Sequence, residues 1–167
     1  NWLGVGISSS LFLSLLYGFG NKYKYQLLHK KVAIKNLPAA FKGFKIIHIS
    51  DIHSGSLKEK EAVQKGIDLI QKQGADLILF TGDLVNDKAT EMQDWSPIFG
   101  QLSAPKGVFS TLGNHDYGDY VQWPSKEAKV ANLEALKAVH ASMGWKLLMN
   151  ENVTIEKGGA KIKLVGI

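Results

Sequence analysis

The 167-residue sequence contains no cysteine and no arginine, and all 20 of its basic residues are lysine. Without cysteine there is no disulfide and no thiolate metal site, and the redox compartment stays open. Without arginine there is no bidentate guanidinium clamp for phosphate, so within this stretch only point charges can serve. Acid is also missing from the first third. Residues 1–50 hold seven lysines (Lys22, Lys24, Lys30, Lys31, Lys35, Lys42 and Lys45) and no Asp or Glu. The rest of the chain holds 13 lysines against 15 acids, so the net charge of +5 belongs to the N-terminal arm. A nucleic-acid footprint belongs on the folded body, which here is nearly neutral, and no nucleic-acid partner is expected.

What the first third does have is one long uncharged run. Trp2 to Gly20 carries no charge and is followed by Asn21, Lys22, Tyr23, Lys24 and Tyr25. About 20 apolar residues, with aromatics at the boundary and lysines beyond, fit a transmembrane helix. A signal peptide would carry its positive charge before the run, and here it comes after. The lysines put residue 21 onward in the cytoplasm. The other end, "AKIKLVGI", runs apolar up to Ile167 without a closing turn, so the sequence reads as part of a longer protein.

From residue 44 the pattern is strand, helix, strand. "FKIIHIS" (44–50) and "DLILFTGD" (76–83) are short apolar runs expected of strands buried on both faces, and "GVFSTL" (107–112) is a third strand. Residues 57–74 have helical spacing with Val63, Ile67 and Ile70 inside, a Glu61–Lys65 pair outside and Gly74 as the stop. Residues 125–144 form a second helix, with Ser125 as N-cap and Val130, Leu133, Leu136 and Val139 inside. His140, mid-helix beside that apolar face, is read as a packing residue. Short strands at "WKLLMN", "VTIEKG" and "AKIKLVGI" complete an α/β pattern with a partly parallel sheet.

The first three strands end in polar residues: Asp51-Ile52-His53, Gly82-Asp83 and Gly113-Asn114-His115-Asp116. Ligands of open α/β sheets bind outside the carboxyl ends of the strands. Residues 51 and 53 would face one side of an extended chain, as two ligands of one ion require. Asp, His and Asn without thiol form a hard-to-borderline donor set that suits manganese, iron, zinc or magnesium.

"DIH", "GD" and "GNHD", in this order, resemble the first three blocks of the calcineurin-like metallophosphoesterases. The likeness is close over 45–118 and looser to 167, and the lysine-flanked apolar lead-in is similar to the membrane-anchored bacterial branch, which implies a bacterial inner membrane as the expected location. It implies a metallophosphoesterase-type βαβ sheet sandwich, of which this chain holds the N-terminal part. The domain plan is then a transmembrane helix (1–20), a basic juxtamembrane linker (21–43) and the first part of the catalytic domain (44–167). The resemblance further implies two divalent metal ions that generate a hydroxide nucleophile and clamp phosphoryl oxygens. Asp51 and His53 would bind the first ion, Asp83 would bridge, and Asn114 would bind the second. His115 would be the catalytic imidazole, ligating nothing.

Two departures matter. The protein phosphatases of this superfamily read G-D-x-V-D-R-G in the second block, whereas this chain reads "GDLVNDK", leaving Asp116 or Asp87 to orient His115. The family's remaining ligands are a lone His and a His-x-His beyond this block; His140 is the only histidine after His115 and is read as packing, so the chain alone is expected to be inactive. The expected function is hydrolysis of a phosphomonoester, phosphodiester or pyrophosphate, with a nucleotide-sugar or lipid-linked phosphate among the candidates. The partners expected are the phosphoester substrate and, through the first segment, membrane lipid. The alternatives are a nuclease, or a metal-free scaffold of the same fold. In the loop after His115, Tyr117, Tyr120 and Trp123 either pack over the next helix or wall a substrate pocket.

Overall fold

A computed structural model describes residues 2–167. The chain divides into a first unit ending at Val32 and a second, Ala33–Ile167. The first is dominated by helix α1 (Trp2–Asn21), whose described side chains from Trp2 to Gly18 are all exposed. Among the described residues no helix is long and apolar enough to cross a membrane, so the structure lends the expected span no support. Ser8, Ser9, Ser10 and Ser14, with Gly4, Gly6 and Gly18, dilute its apolar character.

The second unit is built on four short strands, β1 (Ile46–Ile49), β2 (Leu77–Phe80), β3 (Val108–Ser110) and β4 (Lys146–Leu147). They lie in the order β1-β2-β3-β4, and all three pairings are parallel. Helices α2 (Lys60–Gln71), α3 (Ser96–Phe99) and α4 (Lys126–Ser142) supply the connections. The last two strands, β5 (Glu151–Lys157) and β6 (Ala160–Gly166), form a separate antiparallel hairpin. The mixed α/β fold with a parallel sheet is the one the sequence pattern implies.

Alternation along β2 shows how the layers form. Leu77 and Leu79 point to the face where the hairpin packs, in a cluster with Phe41, Phe109, Ile155, Val153, Ile162 and Leu164. The other face meets the helical layer. There the ring of Phe80 lies 5.3 Å from that of Trp145 and 6.2 Å from that of His140. Leu77, Ile78 and Phe80 are each 1 % exposed. Burial on that scale is worth about 1.5–3 kcal/mol per side chain and makes β2 the spine of the unit.

β1 departs from expectation. Register pairs Ile46 with Leu77 and His48 with Leu79, so both share the hairpin face. Yet Ile46 is 50 % exposed and His48 is exposed, because β1 is the edge strand and the cluster under the hairpin does not include them. His48 bonds through Nε2 to the hydroxyl of Thr81 at 2.7 Å.

The helices follow their signals with two corrections. α2 buries Val63 and Ile67 and ends before Gly74, which takes φ +57. Its outer face pairs Lys60 with Asp94 at 2.8 Å, and no ion pair joins Glu61 to Lys65 among the described residues. α4 starts on Ser125, whose hydroxyl accepts from the Ala128 amide at 3.2 Å. It buries Leu136 and His140, while Val130, in the first turn and a half of the helix, is 60 % exposed.

Candidate metal centre

Because the four-stranded sheet is wholly parallel, the loops after β1, β2 and β3 leave from one edge. Thr81 donates its backbone N–H to Ile49 at 3.0 Å, and Thr111 donates to Phe80 at 3.0 Å, so the ladder runs straight into these loops. The first loop then zips onto the second. Asp51, His53 and Ser54 donate to the carbonyls of Gly82, Asp83 and Leu84, each at 3.0 Å.

The zip demands unusual backbone. Asp51, His53 and Asp83 all take left-handed conformations, at φ +54, +47 and +60. Each costs free energy for a residue with a Cβ, and such strain clusters at functional sites. It also corrects the extended-chain reading of "DIH", since 51 and 53 are curled and His53 leads into a 3₁₀ turn at Ser54–Ser56. Gly82, at φ +94, lies against Gly113, and a Cβ on either would strike the other loop's backbone. The glycines bring loop to loop.

Asp116 locks the second and third loops together. It is fully buried, and its carboxylate accepts from the amides of Asp83 (2.8 Å), Leu84 (2.8 Å), Val85 (3.3 Å) and Gly113 (2.9 Å). Burial pushes its carboxyl up from the ordinary range, and the four N–H donors pull the other way. It does not orient His115, as the sequence allowed. That task falls to the backbone carbonyl of Asn86, 2.8 Å from His115 Nδ1. A carbonyl only accepts, so Nδ1 carries a proton and Nε2 is the atom left to act.

The side chains then converge. Donor atoms of His53, Asp83 and His115 all lie within 4.8 Å of one another. His53 Nε2 is 3.9 Å from Asp83 Oδ2, and the rings of His53 and His115 meet edge to face at 4.7 Å. The other Asp83 oxygen, Oδ1, accepts from the His115 amide at 2.8 Å. An imidazole and a carboxylate at this spacing, with a second imidazole beside them, fit a divalent metal of the zinc, iron or manganese kind. Asp51 lies next to this trio in the chain, exposed, and is not part of it. Asn114 is exposed, with its amide Nδ2 donating to the Tyr120 hydroxyl at 2.9 Å.

Glu91 escaped the sequence reading. One oxygen accepts from the amides of Asp87 and Lys88 (3.0 and 2.9 Å), the other from Asn86 and Gly55 (2.7 and 3.0 Å). It thereby holds the segment whose carbonyl orients His115. The signal was a Glu three residues after Lys88, the spacing of a capping box. Trp123 packs, donating Nε1–H to the Gly118 carbonyl at 2.7 Å, whereas Tyr120 stacks on His115.

A parallel sheet with a His–Asp–His cluster at its carboxyl edge describes an α/β protein with a candidate metal site. Residues 44–165 match the calcineurin-like phosphoesterase family, and the chain belongs to it. It is 33% identical over 129 residues to the UDP-2,3-diacylglucosamine pyrophosphatase LpxG of Chlamydia trachomatis, covering 72% of this chain and 39% of that protein. It is 36% identical over 86 residues to the uncharacterized metallophosphoesterase YkuE of Bacillus subtilis, covering 50% and 30%. A Danio rerio transmembrane protein with metallophosphoesterase domain is 24% identical over 115 residues, covering 68% and 26%. The chain thus spans well under half the length of these relatives.

Proposed function

We propose that the full-length protein is a metal-dependent phosphoric ester hydrolase. The observation that carries this reading is the approach of His53, Asp83 and His115 within 4.8 Å at the sheet's carboxyl edge. His53 and Asp83, joined by Asp51 and Asn114, would hold two divalent ions. When bound, the ions supply positive charge that polarises the phosphoryl group and makes water a nucleophile. The chain's own residues do the rest. Asp83 is fixed by its Oδ1 bond to the His115 amide, and His115 would face the substrate with Nε2. With Nδ1–H held by Asn86, delivery of a proton to the leaving oxygen would come from Nε2–H of the His115 imidazolium, leaving the neutral Nδ1–H ring. A pyrophosphate of the nucleotide-sugar or lipid-linked class is favoured among substrates by the name of the C. trachomatis relative.

The test is His115→Ala in the full-length protein, assayed with a generic phosphodiester and by metal analysis. Turnover should fall about 10²-fold or more with metal content unchanged. Loss of metal along with activity would make His115 a ligand.

Membrane contact is the second part of the proposal. Its support is the exposed apolar surface of α1, including Trp2, Leu11, Phe12 and Leu15, followed by Lys22 and Lys24. Relatives from Danio rerio and Bos taurus are also named as transmembrane proteins. Residue 21 onward would lie on the cytoplasmic side. The protein should sediment with membranes after a high-salt wash, and recovery in the supernatant would overturn this part.

A further inference from the structure

Tyr120 stands 63 % exposed, yet both its ring and its hydroxyl are committed to the candidate centre. Its ring stacks on the His115 imidazole, 4.5 Å between centroids and 28° between planes. Its oxygen accepts the Asn114 Nδ2–H at 2.9 Å. Core packing does not account for a side chain so exposed. We propose that Tyr120 is a positioning residue of this centre, fixing the Asn114 amide and the His115 ring together. The proposal rests on the metallophosphoesterase reading above.

The argument concerns which end of an amide faces a cation. Asn offers an oxygen with lone pairs at one end and two N–H donors at the other, in nearly the same shape. Only the oxygen binds a hard divalent ion. With Nδ2 turned to the Tyr120 oxygen, Oδ1 is the atom left for the metal. Reversing the pair, so that the phenol donates to Oδ1, would turn N–H groups towards the cation and be repelled. The phenol can accept or donate, so the ion selects the Asn114 orientation and Tyr120 holds the amide in it. The stack adds a second restraint on the His115 ring, which also meets the His53 ring at 88°.

The loop is built to put Tyr120 there. After a 3₁₀ turn at His115–Tyr117, Gly118 turns the chain back at φ +64. A Cβ at this position would meet the Trp123 ring at 3.0 Å and the Asp87 carbonyl at 3.1 Å. The Trp123 indole closes the loop on the Gly118 carbonyl, and Lys129 of α4 pairs with Asp119. The residue between these two ties is returned over Asn114, six positions earlier.

The test uses the full-length protein and Mn²⁺ titration calorimetry on metal-free samples, beside turnover of a generic phosphodiester. Tyr120→Phe keeps the ring and removes the hydroxyl. It should weaken Mn²⁺ at one site about tenfold, the usual cost of losing a partner that orients a ligand. In an Asn114→Ala background the same change should have no further effect on Mn²⁺. Tyr120→Ala removes the stack too and should lower kcat beyond what Tyr120→Phe does. Being exposed, Tyr120 should leave the melting temperature unchanged in both variants. Wild-type Mn²⁺ affinity in Tyr120→Phe, or additive losses in the double variant, would overturn the role of Tyr120 alone. A wild-type protein that takes up no Mn²⁺ would overturn the metal reading and this proposal with it.

Discussion

The buried carboxylate of Asp116 accepts the backbone N–H of Asp83 at 2.8 Å, across a sequence separation of 33 residues. Three more amides, those of Leu84, Val85 and Gly113, end on the same group. Asp116 is therefore the pin that holds the second site loop against the third. Asp116→Ala would leave these donors buried without a partner, at about 1–3 kcal/mol for each one that water does not reach. The expected loss is about 3 kcal/mol or more, read as a shift in the urea midpoint at constant slope. A loss under about 1 kcal/mol would mean that water takes over the bonds and the pin is dispensable.

Gly82 and Gly113 make a sharper pair of variants. Gly82→Ala forces a Cβ into φ +94 and into the Gly113 backbone, and Gly113→Ala drives one into Asp83. Gly43 is the control, since its φ is +76 but nothing lies within 4 Å of the added atom. Gly43→Ala should cost about 1 kcal/mol, the strain alone, and the two site variants clearly more. Equal losses in thermal melts at all three positions would show that loop contact adds nothing.

Residues whose chemistry is local were legible in the sequence. Asp51, His53, Asp83 and Asn114 stand out because polar groups and glycine interrupt apolar runs at strand ends, and of these the structure brings His53 and Asp83 together, with His115. His140 was legible too, because its helical spacing put it beside the buried face. Roles made by contact across the fold were not legible. Asp116 looks like a turn residue until its four amide partners are known, since three of them lie more than 30 positions away. The orienter of His115 is a backbone carbonyl, which any residue at 86 would have supplied. The exposed face of β1 escaped notice because a β-branched run reads the same at the edge of a sheet as in its middle.

His140 gives a prediction in pH. It is fully buried beside Phe80 and Trp145, with no hydrogen-bond partner for either ring nitrogen among the described residues, and burial pushes it down to about 4. A depressed folded value means that the unfolded chain, titrating near ~6.5, takes up the proton first. Its contribution is thus complete above about pH 6.5 and is lost as pH falls towards 4. Between pH 7 and pH 5 this amounts to about 2 kcal/mol. His140→Leu keeps the apolar contacts and removes the proton site. Chemical denaturation at the two pH values should show a shallower loss in the variant, and parallel losses would place His140 in contact with water.

Glu91 ties the oriented carbonyl to the rest of the site without touching a donor atom of the candidate centre. Its two oxygens accept four backbone amides, those of Gly55, Asn86, Asp87 and Lys88. Hydrogen bonds to a charged group are worth about 1.5–3 kcal/mol each when buried, and less for a half-buried residue such as this one. Glu91→Ala should therefore destabilise the protein by about 2 kcal/mol. The more telling effect is on turnover. Once the Asn86 amide is released, its carbonyl no longer holds His115 Nδ1 in place, and Nε2 loses its aim. The expected result in the full-length protein is a fall in kcat of about tenfold with little change in KM, because the metal ligands and substrate contacts remain. Glu91→Gln, which retains one oxygen acceptor but turns an NH₂ towards two donors, should fall between wild type and Glu91→Ala in both measurements. If kcat stays at the wild-type level in Glu91→Ala while stability drops, Asn86 is held by its neighbours and Glu91 serves the fold alone.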